Sequence, residues 1–193
     1  MNASTDPIPL EIAPDLPEAE LRARFERDGR LHVTEVLTEA AARRIHEHLM
    51  AQADWDLVFR HGGQHRDLNY RDVQQWSRAD RDRLAELVAE EARAGFQYCF
   101  ANVPIYDVWH RRMLPGHFFE ELFGFLNSAP WLDLIRRLTG ADDIGFADAQ
   151  ATRYAPGHFL TRHDDDVAGK HRRIAYVLNL TPRWQPDWGG TLR

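Results

Sequence analysis

Along most of its length the chain alternates between stretches of helical period and short breaks. Pro17 stands at a helix start, Leu21 and Phe25 fall four apart on one face, and Asp28-Gly29 marks the stop. Leu31 to Leu37 alternates loosely with β-branched residues, which predicts a strand. Thr38 is a good N-cap and predicts a helix over 39–52, with Ile45 and Leu49 on one face. Trp55 to Phe59 predicts a strand, His61-Gly62-Gly63 a turn, and Asp67 to Arg71 a returning hairpin partner. Ser77 with Asp80 resembles a capping box, and the helix behind it, 78–94, turns Leu84, Leu87 and Val88 inward. Phe96 to Tyr106 is aromatic and irregular. A helix is expected over 117–126, carrying Phe118, Leu122 and Phe125. The next is capped by Asn127 or Ser128, buries Trp131, Leu134, Ile135 and Leu138, and ends at Gly140.

From Ile144 the texture changes to short apolar runs separated by Pro, Gly and Asp. Strands are expected near 144–155, 158–163, 172–181 and 188–193. Helices first and a sheet afterwards, with no regular β-α alternation, predict an α+β domain. Its parts are a flexible leader over 1–17, a mainly helical support with a few strands over 18–140, and a sheet-forming core over 141–193.

With 193 residues, 44% apolar and 28% charged, the chain has the composition of one ordinary globular domain. A net charge of -6 argues against a nucleic-acid partner and, more weakly, against an anionic membrane surface. Cys99 is the only cysteine, so no intrachain disulfide forms. The first residues lack the basic start and apolar run of a signal peptide, and no stretch reaches membrane-spanning length. A cytoplasmic protein is the expectation; the oligomeric state is not legible.

The candidate chemistry lies in Tyr154-Ala-Pro-Gly-His-Phe-Leu-Thr-Arg-His-Asp-Asp-Asp, followed by Arg173-Ile-Ala-Tyr-Val-Leu-Asn-Leu and Trp188-Gly-Gly-Thr-Leu. In an extended segment residues i and i+2 point to one side, so His163 and Asp165 can grip one metal ion. An imidazole nitrogen and a hard carboxylate suit Fe(II), with a second histidine completing a facial triad. Asp164 points away and Asp166 is out of phase with His163. Taken alone, His-x-Asp is a common chance pairing, and a run of three Asp is ordinarily a solvated turn.

The surroundings add a tyrosine nine residues before the histidine, a Pro-Gly turn between them, an Arg-led apolar stretch ending Leu-Asn-Leu, and a Trp ahead of Gly-Gly-Thr-Leu. This order, over about 45 residues from near Ala149 to Arg193, resembles the Fe(II)/2-oxoglutarate-dependent dioxygenases of the prolyl 4-hydroxylase-like family. The resemblance implies a double-stranded β-helix, or jelly-roll, on which the helical part packs. It implies Fe(II) held by His163 and Asp165, 2-oxoglutarate as cosubstrate and ascorbate as a further cofactor the family admits. Tyr154 would face the 2-oxoglutarate, and Tyr176 would line the same pocket; the alternative for both tyrosines is core packing. The implied activity is hydroxylation of an unactivated C–H bond, coupled to decarboxylation of 2-oxoglutarate to succinate. The implied substrate is a prolyl residue in a protein or peptide, with small molecules as the other class.

The family pattern continues into further strands that carry a distal histidine, the third iron ligand, and a basic residue for the far carboxylate of 2-oxoglutarate. The sequence stops at Arg193 with neither. The expectation is therefore an incomplete jelly-roll: a fragment of a longer oxygenase or a gene product cut short. His61, His65, His110, His117, His158 and His171 are each expected to be surface or structural histidines. The rival readings are a catalytically inactive jelly-roll fragment or interaction module, and a cupin-like metalloenzyme that does not use 2-oxoglutarate.

Overall fold

The computed structural model describes residues 8–165, 169 and 171–189. Helices form where caps and apolar spacing agree. Helix α1 (Glu18–Asp28) ends at Gly29, whose φ of 66° is left-handed and lets its N–H return to the Phe25 carbonyl. The Thr38 side chain accepts from the Ala41 N–H to start α2 (Glu39–Ala51). Asn69 caps α3 (Tyr70–Gln75), and Ser77 accepts from the Asp80 N–H at the start of α4 (Arg78–Ala94). Three helices follow: α5 (Ile105–His110), α6 (Phe118–Leu126) and α7 (Ala129–Thr139), the last closed by left-handed Gly140.

Among the described residues five strands form, antiparallel wherever they pair: β1 (Asp56–His61), β2 (Gln64–Asn69), β3 (Tyr98–Val103), β4 (Ala151–Arg153) and β5 (Phe159–Leu160). Their order is β2-β1-β3-β4, and β5 also pairs with β3. Strands β4 and β5 share one edge of β3: Arg153 lies opposite Ala101, and Phe159 opposite Cys99. A step of two residues along β3 thus faces a step of six along the β4–β5 segment, and the excess is extruded as the turn at Ala155–His158. That turn is closed by His158 N–H donating to the Ala155 carbonyl, with Gly157 at φ 85°.

Alternation along the strands places Ala101 and Val103 of β3 and Ala151 of β4 on one side. There they meet Ala41 and Ile45 of α2, Ile105 and Val108 of α5, Phe119 and Phe123 of α6 and Trp131 of α7 in the main core. A smaller cluster of Leu21, Leu134 and Leu138 joins α1 to α7, with an Arg137–Glu18 ion pair (2.6 Å) at its rim. The molecule is thus α+β, with helices gathered on one side of an antiparallel sheet.

Several elements differ from the sequence expectation. Residues 8–17, assigned by composition to a flexible leader, are docked: Ile12 bridges Leu37, the Ala13 N–H donates to the Val36 carbonyl, and Leu10 and Ile12 pack on the core. Leu31–Leu37 forms no strand beyond that bridge, because its apolar residues meet helices α1 and α7 rather than a neighbouring strand. The irregular aromatic run 96–106 contains the central strand β3. Residues 171–180 keep the expected alternation, with Ile174, Leu178 and Leu180 half-buried, but carry no strand ladder. Alternation reports burial, and pairing additionally needs an adjacent strand. The expected strand over 188–193 lies outside the described residues beyond Gly189, where Pro186–Trp188 forms a 3-10 turn. The same holds for the first seven residues of the leader and for Asp166.

Candidate active site

Strand β3 supplies the floor of the site. On the side away from the helical core, Tyr98 and Phe100 stand two apart, and their rings begin a continuous row. Tyr154 lies on Phe100 (centroids 5.3 Å apart), Phe100 on Tyr98 (5.6 Å), Tyr98 on Phe96 (5.7 Å) and Phe96 on His163 (5.7 Å). The row therefore runs from Tyr154 at one end to His163 at the other. Two further groups border it. Arg60 reaches over the Phe96 ring at 5.3 Å, and His65 Nδ1 lies 2.6 Å from the Tyr98 hydroxyl. Partial burial raises the Tyr98 and Tyr154 phenols above their ordinary range, so both remain neutral hydrogen-bonding groups near pH 7.

His163 and Asp165 are brought together. His163 Nε2 is 3.6 Å from Asp165 Oδ1, with the two side chains 30% and 54% exposed. On the other edge of the ring, Nδ1 is 3.0 Å from the Thr161 carbonyl oxygen. A carbonyl only accepts, so Nδ1 donates to it, and Nε2 is the ring nitrogen on the side of the carboxylate.

Tyr176 is elsewhere. It packs on Trp131 of α7 (5.9 Å), and its hydroxyl accepts from the Trp131 indole N–H at 3.3 Å. The reason is phase: positions 174, 176, 178 and 180 share the side that Leu178 and Leu180 bury against the helical core. Of the two tyrosines considered for the cosubstrate pocket, only Tyr154 lies in the row with His163.

Most of the other histidines are engaged in local structure. His61 pairs with Glu91 at 2.8 Å, His110 stacks on Tyr106, and His117 Nδ1 accepts from the Phe119 N–H at the start of α6. His158 closes its turn by accepting from the Ala155 N–H, and burial lowers its pKa. Among the described residues no set of three His, Cys, Asp or Glu side chains converges as a metal site.

Phe96, Tyr98 and Phe100 were not singled out from the sequence. Their period of two, set off by Gln97, was the available signal, and it was blurred by the apolar Cys99, Ala101 and Val103 on the opposite face.

Residues 149–193 match the 2OG-Fe(II) oxygenase superfamily. A 68-residue stretch is 37% identical to the mouse (Mus musculus) protein called prolyl 3-hydroxylase OGFOD1; it covers 35% of this chain and 12% of that protein. No solved structure matches the chain. Residues 149–193, which hold Tyr154, His163 and Asp165, are thus similar to 2OG-Fe(II) oxygenase sequence, and the chain spans only a small part of the length of the curated relative it matches.

Proposed function

We propose that the chain is the part of a 2-oxoglutarate-dependent oxygenase that presents two iron ligands, His163 and Asp165, beside an aromatic wall. The observation that carries this reading is the pairing of the two side chains. Two adjacent ligands with bonds near 2.1 Å stand about 3 Å apart, so a closure of roughly half an ångström from the observed separation sets both on one divalent ion. The donor set, one neutral imidazole nitrogen and one carboxylate, suits Fe(II). The fold that accompanies this reading is a jelly-roll, to which the antiparallel β3, β4 and β5 would contribute; a cytoplasmic location goes with it.

When bound, Fe(II) with 2-oxoglutarate and dioxygen would supply the oxidising chemistry: one oxygen atom goes into succinate as carbon dioxide leaves, and the other hydroxylates an unactivated C–H bond. The chain's own residues prepare the place for it. His163 offers Nε2 because the Thr161 carbonyl holds the proton on Nδ1. Asp165 supplies negative charge and keeps one coordination position as carboxylate. Tyr154, protonated at neutral pH, is the hydrogen-bond donor proposed for the cosubstrate, and it would have to close in from the far end of the aromatic row, four ring-to-ring steps from His163, to reach a 2-oxoglutarate held there. Phe96, Tyr98 and Phe100 would give the wall between Tyr154 and His163 an apolar face for substrate, with Phe96 43% exposed. The substrate favoured is a prolyl residue in a protein or peptide, on the strength of the similarity to a protein called a prolyl 3-hydroxylase. Ascorbate has no support in the comparisons and no part in this reading.

The test is anaerobic addition of Fe(II) and 2-oxoglutarate, reading the visible charge-transfer band of the chelate. The expected band disappears in His163→Ala and in Asp165→Ala. A band of equal intensity in His163→Ala refutes the ligand assignment. Succinate formation that requires a proline-containing peptide would support the substrate class, and succinate formation indifferent to it would count against that class.

A further inference from the structure

Gln97 has no counterpart in the chemistry above, yet it is completely buried. The backbone ladder between β1 and β3 stops at the Phe59–Cys99 pair. One step further on, the Gln97 carboxamide takes over the work of a strand. Its Oε1 accepts from the Arg60 N–H (2.8 Å) and the Tyr98 N–H (2.9 Å). Its Nε2 donates to the Arg60 carbonyl (2.9 Å) and to Glu91 of α4 (3.2 Å). Gln97 is thereby fixed to β1, α4 and the start of β3, and its main chain becomes a rigid anchor.

That anchor is used by one residue. The Gln97 N–H donates to the Thr161 hydroxyl oxygen at 2.9 Å, and the same hydroxyl donates to the Gln97 carbonyl at 3.0 Å. The Thr161 N–H donates to that carbonyl as well, at 3.0 Å. The Thr161 hydroxyl thus accepts from the N–H and donates to the C=O of one residue at the same time, which valine in its place cannot do. The Thr161 carbonyl, held by these three bonds, accepts from Nδ1 of His163 at 3.0 Å.

We propose that Thr161 is the positioning residue of this site: its hydroxyl clamps the segment to buried Gln97, and its carbonyl sets the tautomer and direction of the His163 ring. The proposal rests on the reading of His163 as a metal ligand only for its consequence. The clamp and the tautomer are properties of the metal-free protein. Second-sphere hydrogen bonds of this kind orient a ligand before the ion arrives, and their loss weakens binding without touching a ligand atom.

The experiment is a nitrogen-15 NMR spectrum of the imidazoles in the metal-free chain, followed by Co(II) titration, on wild type, Thr161→Val and Thr161→Ser. Wild type is expected to show His163 protonated on Nδ1. Thr161→Val, which keeps the shape and removes the hydroxyl, should shift His163 toward a mixture with the Nε2–H form and weaken Co(II) binding roughly ten- to a hundredfold. Thr161→Ser should restore both. A wild-type His163 protonated on Nε2 overturns the proposal whether or not the valine variant folds. So does a Thr161→Val protein with the wild-type tautomer and unchanged Co(II) affinity. If the tautomer follows Thr161 while Co(II) binding is indifferent to His163→Ala, the clamp stands and the metal-ligand reading falls.

Discussion

Replacing Gln97 with Leu should be among the more costly single changes in the sheet. The leucine fills nearly the same space, so no large cavity forms. What is lost are partners: the Arg60 N–H, the Arg60 carbonyl and the Tyr98 N–H all depend on the Gln97 carboxamide. An unsatisfied buried polar group costs about 1–3 kcal/mol, and three of them, partly relieved by water at half-exposed Arg60 and by the more apolar side chain, come to about 2–4 kcal/mol net. A domain of this size holds roughly 5–15 kcal/mol in total, so the midpoint of a urea titration should fall visibly with little change of slope. Gln97→Glu retains the acceptor for two N–H groups and loses the donor, and it sets a second carboxylate beside Glu91. Its penalty should therefore shrink as pH falls and the new side chain is protonated. A loss below about 0.5 kcal/mol in Gln97→Leu, in the range of an ordinary surface substitution, would refute the account of Gln97 as a surrogate strand.

Three further outcomes are expected. Thr38→Ala should cost about 1 kcal/mol in chemical denaturation by removing the side-chain cap of α2, and Thr38→Ser should recover most of it. Asp56 has its folded pKa raised, first by burial and then by Asp67 and Asp54. The native state then holds that proton more tightly than the unfolded chain, so this group's contribution to stability falls as pH rises through its folded pKa. Asp56→Asn should accordingly raise Tm at neutral pH and have little effect near pH 3, where both states are protonated, in roughly the range set by the ordinary aspartate value; an equal gain at both pH values would contradict this. Burial pushes the Cys99 thiol up to about 11, so a thiol reagent at pH 8 should label it far more slowly in the folded protein than in urea.

What could be read from the sequence was whatever is decided within a few residues. Thr38, Ser77, Gly29 and Gly140 mark helix ends through their own hydrogen bonds or backbone conformation, and each does so in the structure. Pairing over long distances was less visible. Strand β3 joins residues brought from 56–59, 151–153 and 159–160, and its aromatic, polar and small residues gave no single period. The docking of residues 8–17 depends on a bridge to Leu37, which composition cannot show. At the site, His163 and Asp165, two apart in the sequence, stand 3.6 Å from one another beyond the end of β5. Tyr176 was read as lining the same pocket from the next core strand, with core packing as the alternative, and the phase of its segment carries it to Trp131. The role of Thr161 needed its partner 64 positions away.

The extruded turn at Ala155–His158 separates two kinds of inheritance along this edge of the sheet. A strand transmits the addition or loss of a residue to everything beyond it, because each step flips the side chains to the opposite face. Here the ladder stops at Arg153 and is re-established at Phe159 by a separate pairing with Cys99. A length change within the turn is therefore absorbed locally, and the phase of Thr161, His163 and Asp165 is set afresh downstream of it. The rim next to the site can be lengthened, shortened or exchanged over generations while the two candidate ligands keep their facing, leaving the mouth open to variation and the chemistry conserved in place.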